Sequence, residues 1–203
     1  PERSDSWTLG AIIRPEAVPG LTVTVDYYNI KIDGSISQPT PGDALNACFN
    51  NPSTSNPACT SIVRSPIDGG LSGDSNVVLG LPTFLSNSGN LSTDGIDLTI
   101  AYGHTFGEVD WNMSFAGNWT NKSTFQATTG VSTNRDCVGL YSANCGASAG
   151  SIQPRTSWNM RNTFTYEQFD FSLFWRHISG SSFEFANDPA QVLYVGELVG
   201  NRG

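Results

Sequence analysis

One segment of the chain matches the Gly-x-Ser-x-Gly pattern that carries the nucleophile of many serine hydrolases: Gly146-Ala147-Ser148-Ala149-Gly150. In those enzymes the serine stands on a sharp turn between a buried strand and a helix. Here Cys145 precedes the pattern in a run of small residues, and Pro154 follows it. Because both flanking requirements fail, we predict a flexible loop and not an enzyme. A hydrolase built on Ser148 would require that Ser148→Ala abolish activity.

Metal and cofactor chemistry also lacks a suitable pattern. The only histidines, His104 and His177, lie far in sequence from most cysteines and from each other, and lone histidines at strand ends are more often interfacial or solvated. The four cysteines form two local pairs, Cys48 with Cys59 and Cys137 with Cys145, and neither has the Cys-x-x-Cys spacing of a thiolate site. We therefore predict two disulfides in an oxidising compartment, with free buried thiols as the alternative, and neither a metal nor a cofactor.

Charge and composition exclude two further classes. A net charge of −8 without any basic run argues against a nucleic-acid partner, which needs clustered Lys and Arg. The longest apolar runs are only a few residues, too short for a membrane-spanning helix. Only 14% of residues are charged, and five Trp with eleven Phe favour strands over helices. A membrane could therefore be crossed only by strands.

Six segments alternate apolar and polar residues with the period of a β-strand. In the fourth, Trp111, Met113 and Phe115 share one face, and Asp110 and Asn112 occupy the other. In the second segment the alternation changes phase, which predicts a β-bulge near Tyr27 and Tyr28. The six segments cover approximately residues 7–13, 21–33, 96–103, 109–119, 158–167 and 169–176.

The lengths of the connections distinguish a membrane barrel from a soluble sandwich. Those after the first, third and fifth segments are short, whereas those after the second and fourth are long, at about 37–90 and 127–157. Outer-membrane barrels keep short turns at one rim and long loops at the other, and a sandwich follows no such rule. The pattern favours an antiparallel up-and-down barrel segment.

Aromatic spacing supports the same interpretation. Trp111 and Trp119, eight residues apart, would lie about 26 Å apart along a strand, or about 20 Å along the normal of a membrane crossed at a 40° tilt. This is close to the height of an apolar band between two interfaces. In a sandwich the same rings would fill a core. The predicted interface aromatics are Tyr102, Trp111, Tyr166 and Phe169 near the short turns, and Trp119 and Trp158 near the long loops.

The opposite face of the strands is polar. In a barrel it would line a wet lumen, and in a sandwich it would form the solvated outside. Alternation alone does not separate these two arrangements. This face carries Asp97, Asp110, Asn112, Asn118, Arg161, Asp170 and Arg176.

Several segments resemble, in order and spacing, the C-terminal barrel strands of TonB-dependent receptors. The resemblance covers most of the chain. The matching segments begin with Pro1-Glu2-Arg3 and Pro19-Gly20-Leu21, and continue through Val25-Asp26-Tyr27-Tyr28-Asn29-Ile30-Lys31-Ile32, Asn87 to Tyr102, and Pro154 to Asn162.

The resemblance implies an all-β, antiparallel, up-and-down transmembrane barrel of 22 strands in the bacterial outer membrane, with an N-terminal plug inside it. It also implies coupling to TonB and uptake of a small-molecule ligand. Residues 1–203 would then supply about six strands of the C-terminal barrel domain, without the plug, the TonB-contacting segment or the closing strands. Such a piece should not fold or transport alone, because the two edges of an open sheet would meet lipid. Its expected partners are outer-membrane lipid, the rest of the receptor, TonB and the ligand.

Ligand contacts are expected on the long loops and the inner face. No basic cluster marks an anionic iron-siderophore complex and no aromatic platform marks a saccharide, so the sequence leaves the ligand class open. The alternative function is a secreted β-sandwich that acts as a carbohydrate-binding or adhesin module. The candidate contact residues are Arg64, Asp68, Asp74, Arg135 and Asp136 on loops, and Arg161 and Arg176 inside.

Overall fold

A computed structural model describes residues 1–39, 41–74, 76–81, 83–127, 135–142, 145 and 151–183. The Gly-x-Ser-x-Gly segment lies outside these residues. The elements, in chain order, are β1 (Arg3–Ile13), β2 (Leu21–Ser37), α1 (Pro41–Asn50), α2 (Pro57–Thr60), β3 (Ser86–Phe106), β4 (Val109–Gln126), β5 (Arg135–Asp136), β6 (Leu140–Ser142), β7 (Ser151–Gln153), β8 (Thr156–Tyr166), β9 (Phe169–Ile178) and β10 (Ser182–Phe183).

Six long strands form one antiparallel sheet in the order β1-β2-β3-β4-β8-β9. Each long strand pairs with the next long strand along the chain, which confirms the predicted up-and-down arrangement. Alternation with period two allows this, because each strand can then present a single apolar face. Among the described strands the sheet does not close, since β1 and β9 each pair with one long neighbour.

The connections between the long strands differ strongly in length at the two ends of the sheet. The short-turn end carries residues 14–20, Gly107-Glu108 and Glu167-Gln168, and the long-loop end carries residues 38–85 and 127–155. At the short-turn end the N–H of Gly103 donates to the carbonyl of Gly20 over 3.2 Å, which holds the first connection against β3. This arrangement places every loop of substantial length at one end.

The long connections contain short elements that alternation did not predict. The first holds α1 and α2, which contact each other and are joined by the Cys48–Cys59 disulfide. The second holds β5, which pairs with the end of β4, and the β6–β7 hairpin, which pairs in parallel with β10 beyond β9. The Cys137–Cys145 disulfide also lies here. Both predicted cysteine pairs are therefore bonded.

The predicted bulge near Tyr27 and Tyr28 is wrong. Pairing of β2 with both β1 and β3 runs through these residues without a shift, and the irregularities occur later, between Asp33 and Ile36. The phase change in the sequence has a different cause. The strand continues regularly, but beyond Tyr27, toward the long-loop end, the polar side chains lie on the opposite face of the sheet.

No helix in the described part of the chain has the length and apolar character needed to cross a membrane.

Candidate functional site

Strand register assigns every residue of the large sheet to one of two faces. On β3 the alternating residues from Ile96 to Tyr102 share a face, and their partners on β2 and β4 extend that face across the sheet. We call it the apolar face. Its central residues are Leu9, Ala11, Ile13, Val23, Val25, Tyr27, Ile96, Leu98, Ile100, Tyr102, Trp111, Met113, Phe115, Trp158, Met160, Phe164, Phe171, Leu173 and Trp175.

No described element of the chain covers the apolar face. Leu98, Met113 and Phe115 are half-buried by their neighbours in the sheet, and Phe164 is exposed. Leu9 is 70% exposed and Trp175 is 67% exposed. The described elements of the chain place no second sheet against this face. A continuous apolar surface of this size in a soluble protein would be exceptional, because large exposed patches mark contact with a partner or a membrane.

Aromatic side chains cluster toward the two ends of the apolar face. Near the short-turn end, Trp111 contacts Tyr102 edge-on at 5.3 Å between ring centroids and stacks on Phe164 at 6.2 Å. Toward the long-loop end, Trp158 stacks on His177 at 5.2 Å. Of the other predicted interface aromatics, Trp119 ends the apolar row on β4, and Tyr166 pairs with Phe169 beside the β8–β9 turn. Their role at a membrane interface stays a prediction.

One amide interrupts the apolar face, at Asn162, which lies between Met113 and Leu173. Its side-chain oxygen accepts a hydrogen bond of 3.1 Å from the indole N–H of Trp111. An unpaired amide is costly in an apolar environment, and this bond satisfies part of its hydrogen-bonding capacity. The pair is compatible with an apolar medium outside the sheet.

The other face, which we call the polar face, carries all seven residues that alternation placed there. Its centre is a network around Asn118, whose amide donates to Asp97 over 2.7 Å and to the hydroxyl of Tyr28 over 3.1 Å. Near the short-turn end, Thr105 donates to Asp110 over 2.6 Å. These contacts leave carboxylates and amides directed away from the apolar face, where they can hold water or a polar ligand.

A shallow cavity of about 480 Å³ opens on the polar face beside this network. Asp26 and Asp97 are direct partners across β2 and β3, and Asn159 and Arg176 are partners across β8 and β9. All four line the cavity together with Asn118. Carboxylate, amide and guanidinium groups together suit a ligand with several hydrogen-bonding groups. The sequence alone did not indicate Asp26 or Asn159 as candidates. Once the register is known, they lie on the same face as Asp97 and Arg176, their cross-strand partners.

The predicted inner-face arginines occupy different places. Arg176 lines the cavity just described, whereas Arg161 lines a neighbouring one. The guanidinium of Arg161 donates to the hydroxyl of Ser172 over 3.1 Å and lies 5.1 Å from the ring centroid of Phe174. The structure therefore does not bring the two arginines into one cavity.

The predicted loop residues are largely engaged in their own turns. Arg64 donates to the carbonyl of Gly69 over 2.9 Å, and Asp74 accepts from the backbone and side-chain N–H groups of Asn76. The Ser65 hydroxyl and the backbone N–H of Gly70 hold the pKa of the Asp68 carboxyl below its ordinary value. The ionised form of Asp68 therefore supports this turn, and its contribution is lost as the pH falls through that lowered pKa.

Arg135 and Asp136 form the short strand β5, next to the end of β4. A carboxylate oxygen of Asp136 accepts from the N–H of Val138 over 3.2 Å, so this side chain orders the chain that leads to Cys137. Neither residue is placed in the cavity with Arg176. Ligand contact by any of the loop candidates stays a prediction.

The second disulfide belongs to a small core at the long-loop end. Phe125 is 5% exposed, Cys137 2% and Cys145 3%, and these residues pack together with Ala127. The hydroxyl of Ser37 donates to the carbonyl of Ala127 over 2.7 Å, which ties this core to β2. The chain beyond β4 is thus anchored to the large sheet.

We predict that Cys137→Ser/Cys145→Ser loosens this region. Removing a disulfide with a sequence separation of 8 should lower the local free energy of opening by about 2–3 kcal/mol. Hydrogen exchange at the Thr124 and Phe125 amides, measured by mass spectrometry on the protein, should rise accordingly. The control is Cys48→Ser/Cys59→Ser, because this disulfide joins α1 to α2, whose main contact is with each other. Equal protection of both amides in the two variants would contradict the assigned role.

Comparison with known proteins supplies the remaining finding. Residues 1–198 match the family model described as TonB dependent receptor-like, beta-barrel. No curated protein matches the chain.

Proposed function

Because the chain belongs to the TonB-dependent receptor-like β-barrel family, we propose that it forms part of the barrel wall of an outer-membrane receptor for a scarce nutrient. The match confirms the resemblance seen in the sequence, and the family is one of TonB-coupled uptake receptors rather than enzymes. In this proposal residues 1–203 belong to the C-terminal barrel domain, and the plug and closing strands come from elsewhere in the receptor.

The observation that carries the proposal is the division of the central part of the sheet into two faces of opposite polarity. On β4 the apolar face runs from Val109 to Trp119, about 33 Å along the strand and about 25 Å along the membrane normal at a 40° tilt. The apolar band of an outer-membrane barrel has this height. We therefore assign the apolar face to lipid and the polar face to the lumen.

This orientation also assigns each end of the sheet to one side of the membrane. Outer-membrane barrels have short periplasmic turns and long extracellular loops. The short-turn end would then face the periplasm, and the long connections, residues 38–85 and 127–155, would face the outside, where an oxidising environment maintains their disulfides. Trp111, Tyr166 and Phe169 would lie at the periplasmic interface, and Trp119 and Trp158 near the outer one.

The ligand would meet the long loops first and then the polar face. We propose Arg176 as a contact in the lumen, because it lines the cavity with Asp97 and Asn118. The loop residues Arg64, Asp68, Asp74, Arg135 and Asp136, and Arg161 inside, are further candidates. The nutrient is proposed to be a small molecule such as an iron-siderophore complex or a saccharide. TonB would act through a segment of the receptor other than residues 1–203.

Uptake in the native bacterium tests this function. Deleting the receptor gene should abolish the high-affinity uptake of at least one nutrient at limiting concentration, and deleting TonB should abolish it equally. Plasmid-borne receptor should restore uptake only when TonB is present. A small solute that enters through porins serves as the control. Uptake in both deletion strains that equals the parent for every iron complex and saccharide offered, or a receptor found in the soluble fraction, would refute the proposal.

A further inference from the structure

The two faces of β2 exchange polarity above Tyr27. Below this residue Val23 and Val25 lie on the apolar face, whereas above it the same face carries Asn29 and Lys31. On the other face, Ile30 and Ile32 now occupy the positions that continue the polar face upward. The exchange extends to β3 and β4, because Ile32 pairs with Leu91, and Leu91 pairs with Phe125. Above the lipid, the lumen side of the wall therefore carries an apolar patch formed by Ile30, Ile32, Leu91 and Phe125.

Part of this upper apolar surface is covered by the chain itself. Residues 135–142 and 151–153 with Cys145, which we call the strap, lie at the long-loop end. Cys137 and Cys145 pack against Phe125 and Ala127, with Leu91 at the edge of the contact. Phe125 shares a face with Leu91, so the strap covers the lumen side of the wall. Ile30 and Ile32 remain outside this core and are half-buried.

The remaining surface forms a cleft of about 220 Å³ between the wall and the strap. Ile30, Ile32 and Leu91 line it with Thr93 and Ser123 on the wall side, and Gln153 of β7 lines it on the strap side. This volume is too small for a helix, whose diameter with side chains is about 10–12 Å. It suits a chain of roughly five to seven carbon atoms, at about 30 Å³ for each group of the size of a water molecule.

The cleft lies on the same side of the wall as the polar cavity, beyond it along β2. Ile30 follows Asp26 by four positions on β2, about 13 Å along the strand. Tyr28 lies between them, with its ring over Gly95 and its hydroxyl bonded to the Asn118 amide. A ligand long enough to extend past the Tyr28 side chain could contact both regions, with an alkyl group in the cleft and hydrogen-bonding groups at Asp97, Asn118 and Arg176.

We infer that the cleft is a ligand subsite for a short aliphatic group, and that the ligand of this receptor is amphiphilic. The inference rests on the proposed function, because it needs the polar face to line the ligand's path. Ile30 and Ile32 set the preference for an alkyl chain, and Gln153 offers an amide at the edge of the cleft. The disulfide between Cys137 and Cys145 keeps the strap side of the cleft in place.

Saturation-transfer NMR on the full-length receptor in nanodiscs tests the subsite, with n-hexyl β-glucoside and methyl β-glucoside as probes and empty nanodiscs as the blank. The hexyl protons should receive saturation from the receptor above the blank, and methyl β-glucoside should receive none. In Ile30→Asn/Ile32→Asn the hexyl glucoside should bind about tenfold more weakly, because two apolar contacts are lost. The matched control, Asn29→Ala/Lys31→Ala, alters the outward residues of the same segment and should bind like the parent.

A second variant, Ile30→Trp, fills the cleft without making it polar and should abolish the alkyl signal. Retention of the heat-modifiable barrel band on gels verifies that each variant is folded. Parental binding in both cleft variants, or a hexyl signal no greater than the blank, would overturn the subsite. Should TonB-dependent uptake persist in that case, the proposed function stands while the subsite falls. If TonB dependence is lost while the alkyl signal stays intact, the proposed function falls and the subsite stands.

Discussion

Phe115→Arg should destabilise the full-length receptor in a bilayer by about 2–4 kcal/mol, the cost of a basic side chain at the midplane of an outer-membrane barrel. Phe115 lies in the middle of the apolar face, paired with Ile100 on one side and Met160 on the other. An arginine there would have no acidic residue directly across from it, since its cross-strand partners would be Ile100 and Met160. Equilibrium unfolding by guanidinium chloride in liposomes, followed by tryptophan fluorescence, measures the change.

Ser114→Arg is the matched control for that substitution. Ser114 is the preceding residue of the same strand and lies on the polar face, opposite Ala101 and Arg161. Because a lumen position keeps the charge hydrated, we expect a cost below about 1 kcal/mol, with repulsion by Arg161 as its main source. Equal losses of stability at residues 114 and 115 would show that the two faces do not meet different media.

Gly20→Ala should cost about 2–4 kcal/mol, because it combines backbone strain with a steric overlap. Gly20 has a φ of +85°, in the left-handed region that favours glycine. A Cβ at this position would also overlap the backbone carbonyl oxygen of Gly103. The connection between β1 and β2 would have to move away from β3, and the 3.2 Å bond from the Gly103 N–H to Gly20 would be lost.

Gly107→Ala separates the two contributions. Gly107 also has a left-handed φ, of +64°, but a Cβ there meets nothing within 4 Å. Its substitution should therefore cost only the backbone strain, about 1 kcal/mol. The comparison uses the same unfolding measurement as above. If the two alanine variants lose the same stability, the close approach of Gly20 to β3 is not a feature of the folded receptor.

The long strands were predictable where one face stays apolar along their whole length. Trp111, Met113 and Phe115 follow each other at period two because the surroundings of each face of β4 do not change over that stretch. The ends of the strands were not predictable in this way. β1 begins at Arg3 and β3 at Ser86, well before the first clear alternation at Trp7 and Ile96. These strand ends are stabilised by pairing with neighbouring strands. The alternation of residues along one strand does not indicate such pairing.

The polarity exchange above Tyr27 misled the sequence analysis for a related reason. A change of phase has two physical causes, an inserted residue or a change in what each face contacts, and only the register distinguishes them. Register also explains the candidate site. Asp97, Asn118 and Arg176 were expected on one face. Asp26 lines the same cavity because it pairs directly with Asp97, and this pairing is known only from the register.

The short helices and strands of the long connections had no local signal of sufficient length. α2 contains only 4 residues, and its start depends on the side chain of Asn56, which accepts a hydrogen bond from the N–H of Ala58. β5 has 2 residues and exists because the end of β4 offers it a partner. Such elements follow from tertiary contacts and from the disulfides, whereas cysteine spacing alone did indicate the two pairs.

The medium against each face of the sheet is measured most directly by site-directed spin labelling of the full-length receptor in liposomes. Nitroxides at residues 98 and 113, in Leu98→Cys and Met113→Cys, should be accessible to oxygen and inaccessible to a water-soluble nickel chelate. Nitroxides at residues 99 and 112, in Thr99→Cys and Asn112→Cys, should show the reverse. Labels at residues 98 and 113 that are shielded from both reagents, as in a dry protein interior, would contradict the assignment of the apolar face to lipid.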